Sequence, residues 1–557
     1  MKMITYSSKK LFSGGSPWMV RGVLCLAVVV AYSNIWPNVF LFNDGIVIVQ
    51  DKFLRHWSDL PDLLTHLCNA GYGLPSGFYR PVEMLLYFLM YQAFGPSAIA
   101  FHALNLSLHM LNVCLLYHFG CRIGLRRGGV FVATLLWALH PLHTDDVTYI
   151  SSTSELLWGT LCLSGLLTLL PDFSLRKIWQ AMIFFVLALG CKESTVVFPA
   201  LAAATFFFVS KNRMQISAYV RMWPLWLLSA GYIAAWLLFM HKTGYALNDV
   251  GDPNYIGSFV NRLLTSLATL PTYARLIVWP TGLHIEWDFP TFPTLLAWRP
   301  LAGVLMVGLC LLQIFSRKKS QQGLALSFGL LWFAVALSPY TGIITPVDAV
   351  INEGWLYVPL MGLFLGVTEM AAGFFEKKKF AAKPVVSFIV AALALSLGTT
   401  TFLQNRIWRT PETLYQNNVQ DQDWGRGERD YILGLFYLHR GDFDEATAQF
   451  QDLVDHPDAP SAPRLASAHM WLAMTWLHAD IKNNMIMPEA LDSALRTSPH
   501  IPEAISELGK ALQENPDFYQ VHRILAVIYR YQGNSVMADF HDREATEILQ
   551  KQGELKR

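Results

Sequence analysis

Across its first 405 residues the chain alternates apolar runs with short polar breaks, and that pattern leaves few folds open. The runs fall near 17–34, 99–120, 129–141, 154–170, 177–190, 194–210, 220–240, 298–315, 323–341, 355–373 and 384–403. In hydrocarbon a backbone must satisfy its own hydrogen bonds, so single apolar runs cross as helices. Only 15% of the 557 residues are charged and 53% are hydrophobic, whereas soluble domains carry roughly 25% charge. The expected fold is all-α: a polytopic membrane helical bundle of eleven spans over 1–405, followed by a polar domain over 406–557. Several runs fall short of the ~20 residues that a crossing needs, so semipolar flanks or a thinned bilayer must complete them. A net charge of +1 offers no electrostatic footprint for nucleic acid. Membrane lipid is the expected surrounding.

Lysine and arginine in short loops orient such a chain. "MKMITYSSKK" is basic, and the run after it has no small-residue cleavage site, so it reads as a retained first span. With "CRIGLRRGG", "SLRK", "SKNRMQISAYVR", "SRKKSQQ" and "FEKKKFAAK" also inside, parity holds as far as 240. It fails if 261–279 crosses, because "SRKK" then faces outward. That segment contains Arg262, Pro271 and Arg275, and is expected to dip into or lie on the outer face. The lysines at 377–379 read as a topology determinant. Outside then lie 35–98, 141–153, the turn at "CKES", 241–297, 342–354 and everything after 404. These loops carry Asp44, Asp51, Asp145, Asp146, Glu155, Glu193, Glu286, Asp288, Asp348 and Glu353. Carboxylates gathered on one face of a membrane protein mark a site.

Individual motifs carry two readings each. In "ALHPLHTDDVTYISSTSELL" (138–157), His140 and His143 with Asp145 suit a divalent metal, and His-x-x-His also arises by chance. His102, Asn105, His109 and Asn112 form one helical stripe, the pattern of interhelical hydrogen bonding. The segment "FYRPVEMLLYFLMYQAFG" (78–95) reads as an interfacial helix with Pro81 in its first turn. Arg80 then stands at a helix N-terminus, where it either binds phosphate or snorkels. Of the seven cysteines, Cys68 and Cys191 lie outside; two unrelated thiols are expected rather than a bridge.

In the C-terminal domain, Gly434, Tyr437, Ala446 and Phe450 fit the offsets of a tetratricopeptide repeat, with Leu433, Gly441 and Pro457 in supporting places. Ala504, Leu508, Ala511 and Pro516 match a second copy, and Leu525, Ala526, Tyr529, Gly533 and Ala538 continue the register. "AHMWLAMTWLHA" supplies a first helix with Trp476 in the tyrosine place. Arrays of this kind offer a concave surface to a peptide or protein; the alternative is a scaffold packed on its own membrane half.

"HPLHTDD" with "SELL" resembles the His-Pro-x-His-Thr-Glu-Ala…Asp-Leu-Leu pattern of the transmembrane and tetratricopeptide-containing O-mannosyltransferases and their bacterial relatives. "FNDGIVIVQD", the stretch from "YRPVEMLL" to "LSLHMLN", "CKES", "LIVWPTGLHIEWDF" and "NEGWLYVP" have counterparts there in the same order. The resemblance implies a glycosyltransferase of the C-type superfamily (GT-C), with a polyprenyl-phosphate sugar as donor substrate and an active site on the non-cytoplasmic face. The compartment it implies is the periplasmic side of a bacterial inner membrane, or the ER membrane in a eukaryote. The chain departs from the pattern at Asn43, where an acid is usual, and at Thr153 and Gly354, where arginines are usual.

On that footing an acceptor hydroxyl, on a protein or peptide held by the repeats, attacks the anomeric carbon from the face opposite the phosphate, inverting it. A carboxylate takes the proton and cations stabilise the leaving phosphate. Asp44 is the expected base and Asp145 the second catalytic carboxylate, with Asp146 as its rival, oriented by His140 or His143. Arg80, Lys192 and Arg275 are the expected phosphate ligands, with Glu193 beside them; Glu353 and Tyr357 position substrate. Two readings compete. A transporter of lipid-linked sugar needs polar residues through the midplane, and a non-catalytic scaffold that recruits partners through its repeats tolerates loss of every outer carboxylate.

Overall fold

The computed structural model describes residues 16–41, 43–72, 78–170, 172–210, 214–243, 258–285, 287, 289–316, 320–343, 347, 349–377, 383–411, 413–414, 417, 426–456, 462–477, 481–482, 485–486, 495–496 and 498–554. The chain divides into two compact units, one of Met1–Ala235 with Gly257–Thr410 and one of Trp236–Ile256 with Pro411–Arg557.

Each of the eleven expected spans contains a helix. In chain order the long helices up to residue 410 are α1 (Pro17–Ala31), α2 (Pro81–Phe94), α3 (Ala98–Arg122), α4 (Arg127–Ala138), α5 (Thr153–Leu169), α6 (Leu175–Leu189), α7 (Phe198–Val209), α8 (Trp223–Thr243), α9 (Phe259–Val278), α10 (Trp298–Phe315), α11 (Gln321–Leu337), α12 (Tyr357–Lys377) and α13 (Lys383–Ile407). Among the described residues, five helical stretches are long and apolar enough to cross a membrane by length and composition: Ala98–Arg122, Trp298–Phe315, Gln321–Tyr340, Gly354–Phe375 and Pro384–Ile407. Pro17–Ala31, Arg127–Ala138, Glu193–Val209 and Trp223–Phe239 are apolar but shorter. The segment read as non-crossing is helix α9; it has Pro271 inside and is not one of the five. It buries Leu264, Ala268, Tyr273 and Leu276 at helical spacing, and Gly303 of α10 lies so close that a Cβ there would come within 2.0 Å of the Leu267 carbonyl oxygen.

Small residues let helices meet without a hydrophobic drive in lipid. Between α11 and α12 a Cβ on Gly329 would stand 2.6 Å from the Gly362 carbonyl oxygen, and one on Gly366 would stand 2.7 Å from that of Ala325. The polar stripe of α3 is buried and each of its members makes a hydrogen bond, although His102 Nδ1 has no partner among the described residues. His102 Nε2 donates to the Asn38 carbonyl (3.2 Å) and Asn105 Nδ2 to that of Tyr149 (3.2 Å). His109 Nε2 donates to the Ala138 carbonyl (3.1 Å), and Asn112 Nδ2 to that of Leu156 (2.9 Å). The stripe is thus a rack that holds the first loop at Asn38, the loop between α4 and α5 at Tyr149, and the facing ends of α4 and α5 at Ala138 and Leu156.

The second unit is built of helices α14 (Arg426–Arg440), α15 (Phe443–Asp455), α16 (Ala462–Trp476), α17 (Ile501–Glu514), α18 (Tyr519–Tyr531) and α19 (Ser535–Glu554), packed in sequence-adjacent pairs. Ile481–Lys482 and Met485–Ile486 form a short antiparallel ladder. A Cβ on Gly434 would strike the Phe450 ring at 2.7 Å. Gly441 and Gly533 follow α14 and α18 with φ of +78° and +77°, the left-handed conformation that ends a helix at little cost only for glycine. Ala446, Phe450, Ala504, Leu508, Ala511, Leu525, Ala526 and Ala538 are all buried.

Candidate functional site

The loop after α4 folds through local turns. Pro141 starts a 3₁₀ turn, Pro141–His143, in which the Leu142 N–H donates to His140 Nδ1 (3.3 Å). The short helix Thr144–Val147 follows and carries Asp145 and Asp146. Thr153 Oγ1, at the start of α5, donates to Asn105 Oδ1 (2.6 Å).

Asp145 and Asp146 are both buried, and Gly354 lies between them: a Cβ on it would stand 2.8 Å from Asp145 Oδ2 and 2.9 Å from Asp146 Oδ1. The Gly354 N–H donates to Asp145 Oδ2 (3.1 Å) and to Asn352 Oδ1 (2.9 Å). Among the described residues, neither oxygen of Asp146 and neither nitrogen of His143 has a hydrogen-bond partner, although His143 Nδ1 lies 3.7 Å from Asp146 Oδ2. Burial pushes the Asp145 carboxyl up to about 7, with the Gly354 N–H and Lys192 opposing and Glu155 adding to the rise. Burial, Glu155 and Asp145 hold Asp146 well above the carboxylate range. Burial, His109 and His140 hold His143 well below the usual imidazole range. Burial thus opposes charge on both Asp146 and His143, whereas Asp145 titrates near neutrality.

Asp44 does not cap the π-helical turn Gly45–Val49 that it precedes. Its Oδ2 accepts from the Leu41 N–H (3.0 Å), and its Oδ1 accepts from the N–H (2.8 Å) and hydroxyl of Ser151. Burial raises it to about 7 against those three bonds. Both oxygens of the expected base are thus occupied.

The expected phosphate ligands are engaged by acids. Arg80, immediately before α2, grips Glu193 through Nε (3.1 and 3.2 Å) and Nη2 (2.9 Å), with Glu83 at 3.7 Å. Lys192 Nζ contacts Glu155 Oε1 (2.6 Å), and the Tyr340 hydroxyl donates to the same carboxylate (2.9 Å). Arg275 is exposed and donates to the Thr281 carbonyl (3.0 Å). Glu353 accepts from the His284 N–H (2.7 Å) and Trp287 Nε1 (3.1 Å), which tie the loop after α9 to the start of α12. The Tyr357 hydroxyl bonds His109 Nδ1 (2.8 Å) and Asn112 Nδ2 (3.1 Å), so its own contacts are with the α3 rack.

The histidine metal set does not assemble. His140 Nε2 donates to the Ile277 carbonyl (3.0 Å) while Nδ1 is taken by Leu142, leaving no lone pair for a metal. Among the described residues no group of three or more His, Cys, Asp or Glu stands ready to hold one. Cys68 and Cys191 are free thiols. Glu286, Asp288 and Asp348 lie outside the described residues. Sequence reasoning did not single out Ser151, Glu83 or Tyr340, whose partners are remote in the chain or, for Glu83, one helical turn from Arg80.

No protein-family profile matches the chain. It is 24% identical over 511 residues to "Protein O-mannosyl-transferase Tmtc3" of Drosophila melanogaster, covering 77% of this chain and 54% of that one. It is 24% identical over 556 residues to human "Protein O-mannosyl-transferase TMTC3" (91% and 58%) and 26% identical over 469 residues to human "Protein O-mannosyl-transferase TMTC1" (74% and 52%). The chain spans about half the length of these curated relatives. The resemblance drawn from the sequence motifs is borne out by these matches.

Proposed function

We propose that this relative of the protein O-mannosyl-transferases is a membrane glycosyltransferase that moves a sugar, mannose first among the candidates, from a polyprenyl-phosphate donor to a hydroxyl of a protein. The reaction inverts the anomeric carbon at the non-cytoplasmic face, in a bacterial inner membrane or, in a eukaryote, the ER membrane. The observation that carries this reading is the pair Asp145 and Asp146 around Gly354, two adjacent buried carboxyls held differently: Asp145 accepts from the Gly354 N–H, and Asp146 has no hydrogen-bond partner among the described residues. Such a pair divides acid and base duties.

Asp145 is the base. One oxygen is held by Gly354 and the group titrates near neutrality, where a general base works best. The acceptor oxygen forms its bond to the anomeric carbon as its proton passes to Asp145. The bond from that carbon to the phosphate oxygen breaks, and its electron pair leaves with the polyprenyl phosphate. Asp146 stays protonated; with His143 it presents four unpartnered polar atoms to the hydroxyls of a sugar. Arg80 and Lys192 receive the phosphate by exchanging Glu193 and Glu155 for it. Asp44, with both oxygens occupied, braces the first outer loop against the second. No step requires a metal.

The matching glycines after α14 and α18, and the buried small residues of each helix pair, support a tetratricopeptide array that receives the acceptor. The eleven-span arrangement, with the N-terminus inside and the repeats outside, remains the topology this reading adopts. The test is purified full-length protein given a panel of polyprenyl-phosphate sugars and a threonine-rich peptide, read by intact mass. One hexose added per site, abolished by Asp145→Asn, supports the reading. Absence of both transfer and donor hydrolysis across the panel defeats it.

A further inference from the structure

We infer that the end of α13 and the turn after it, residues 401–409, clamp the two acidic outer loops at a fixed spacing, with Asn405 as the positioning residue for Asp44 and for the Asp145–Asp146 pair. The role assigned to those carboxylates rests on the proposed transferase reading; the clamp is separately measurable.

Asn405 is fully buried. Its Oδ1 accepts from Thr148 Oγ1 (2.8 Å), and its Nδ2 donates to the Ala31 carbonyl (3.1 Å) and to Asn34 Oδ1 (3.1 Å). Its own carbonyl accepts from Asn38 Nδ2 (3.1 Å). Both amide hydrogens and the side-chain oxygen are therefore used, by Thr148 of the loop after α4, Asn34 of the first loop and Ala31 at the end of α1. Thr148 stands two residues after Asp146, while Asn34 and Asn38 lead into Leu41, whose N–H binds Asp44.

Neighbours in α13 and in the turn after it repeat the arrangement. Thr401 Oγ1 donates to the Leu139 carbonyl (2.9 Å), one residue before His140. The Phe402 carbonyl accepts from Asn34 Nδ2 (2.7 Å), and the Arg409 carbonyl accepts from the Val39 N–H (3.3 Å). Trp408 stacks on Tyr149, with ring centroids 5.5 Å apart and planes 24° apart. The Tyr149 hydroxyl in turn accepts from the Asn43 N–H (3.3 Å). Six residues of the first loop and the loop after α4, namely Asn34, Asn38, Val39, Leu139, Thr148 and Tyr149, are thus held directly by residues 401–409. Asn38 Oδ1 has no hydrogen-bond partner among the described residues, but the side chain of Asn405, the hub, uses every polar atom; a satisfied buried hub favours one geometry, and a displacement of about 1 Å at a reacting group costs on the order of 10²-fold in rate.

The bland alternative is that Asn405 merely glues a helix end. Three readouts separate the two. In Asn405→Ala, hydrogen exchange should rise in peptides covering 38–44 and 139–152 while the other helices keep wild-type protection. With undecaprenyl-phosphate mannose and a threonine peptide, kcat should fall about 10- to 100-fold with the donor KM within about twofold. The low-pH limb of kcat should move to lower pH, since a loosened loop admits water to carboxyls that burial now holds near 7. Thr148→Val, which removes a single bond, should show a smaller effect that does not add to that of Asn405→Ala. Exchange rising equally in all helices, or unchanged in both loops, overturns the clamp. So does an unchanged kcat in a protein whose wild type transfers mannose. If the wild type transfers no sugar, the transferase reading falls, and the exchange measurement still decides the clamp.

Discussion

The carboxylate of Asp44 accepts both the backbone N–H and the hydroxyl of Ser151, joining the first outer loop to the one after α4 across more than a hundred residues of chain. Asp44→Asn places an amide where two N–H groups and a hydroxyl now donate. At least one buried donor loses its acceptor, which costs about 1–3 kcal/mol. The melting temperature in detergent should fall clearly, and Ser151→Ala should lower it less, since the Ser151 N–H still donates. An Asp44→Asn protein with wild-type stability and no transfer would restore Asp44 as the base.

Stability should depend on pH in the acid-to-neutral range. Asp44 and Asp145 both titrate near 7 in the folded protein, above their ordinary value of about 3.9. Folded-state pKa values above the unfolded ones mean that the native state holds more protons between these limits. Their contribution is complete below about pH 4 and is lost as pH rises through about 7. Denaturation midpoints measured from pH 4.5 to 7.5 should decline, and Asp145→Asn should flatten part of that decline. A midpoint that rises over this range would contradict the buried, protonated carboxyls.

Much of the architecture was legible and much of the site was not, for separable reasons. Helix positions follow from apolar run length, so α1 to α13 fall where the hydropathy put them. Crossing number does not follow, because helices such as Arg127–Ala138 are shorter than a bilayer is thick. The stripe His102–Asn112 was readable because helical spacing puts its members on one face. Asp145 and Asp146 stood out as adjacent acids in an apolar context. By contrast, the pairing of Arg80 with Glu193, of Lys192 with Glu155 and of Asp44 with Ser151 is set by tertiary packing. No local period encodes it. Nor does His-x-x-His spacing reveal that His140 spends both nitrogens on backbone.

Donor affinity should respond in opposite directions to the two members of the Arg80–Glu193 pair. If a phosphate takes the place of Glu193 on the guanidinium, Glu193→Gln removes a competitor for that site and should lower the donor KM severalfold. Arg80→Ala removes the charge-assisted contact and should raise it. Both variants should be assayed beside their melting curves, since Arg80 is largely buried and Glu83 would be left without it. A donor KM that rises equally in both would mean the pair serves the fold rather than the phosphate.

Asp145→Asn should abolish transfer while leaving the fold intact. Asparagine keeps an oxygen to accept from the Gly354 N–H but cannot take a proton. The expected loss in kcat is about 10²- to 10⁴-fold, with donor binding nearly unchanged. In the wild type, kcat/KM should rise with pH through an apparent pKa near 7, matching the carboxyl's folded-state value. A rate independent of pH from 5 to 8 would remove Asp145 from the base role.

Gly354→Ala tests the pair by geometry rather than by charge. The added methyl would sit 2.8 Å from Asp145 Oδ2 and 2.9 Å from Asp146 Oδ1, closer than carbon and oxygen tolerate. Neither carboxylate moves freely: Asp145 is bound to the Gly354 N–H itself, and Asp146 is wedged beside His143. Overpacking of this kind costs about 1–3 kcal/mol, so the protein should fold with a modestly lower melting temperature. Catalysis should suffer far more, by about 10²-fold in kcat, because both carboxyls are pushed from their places. Asn352→Ala supplies the control. It removes the other acceptor of the Gly354 N–H without crowding the acids, and should retain most of the activity. If Gly354→Ala turns over sugar at more than about a third of the wild-type rate, the space between the two acids is not where the reacting groups meet.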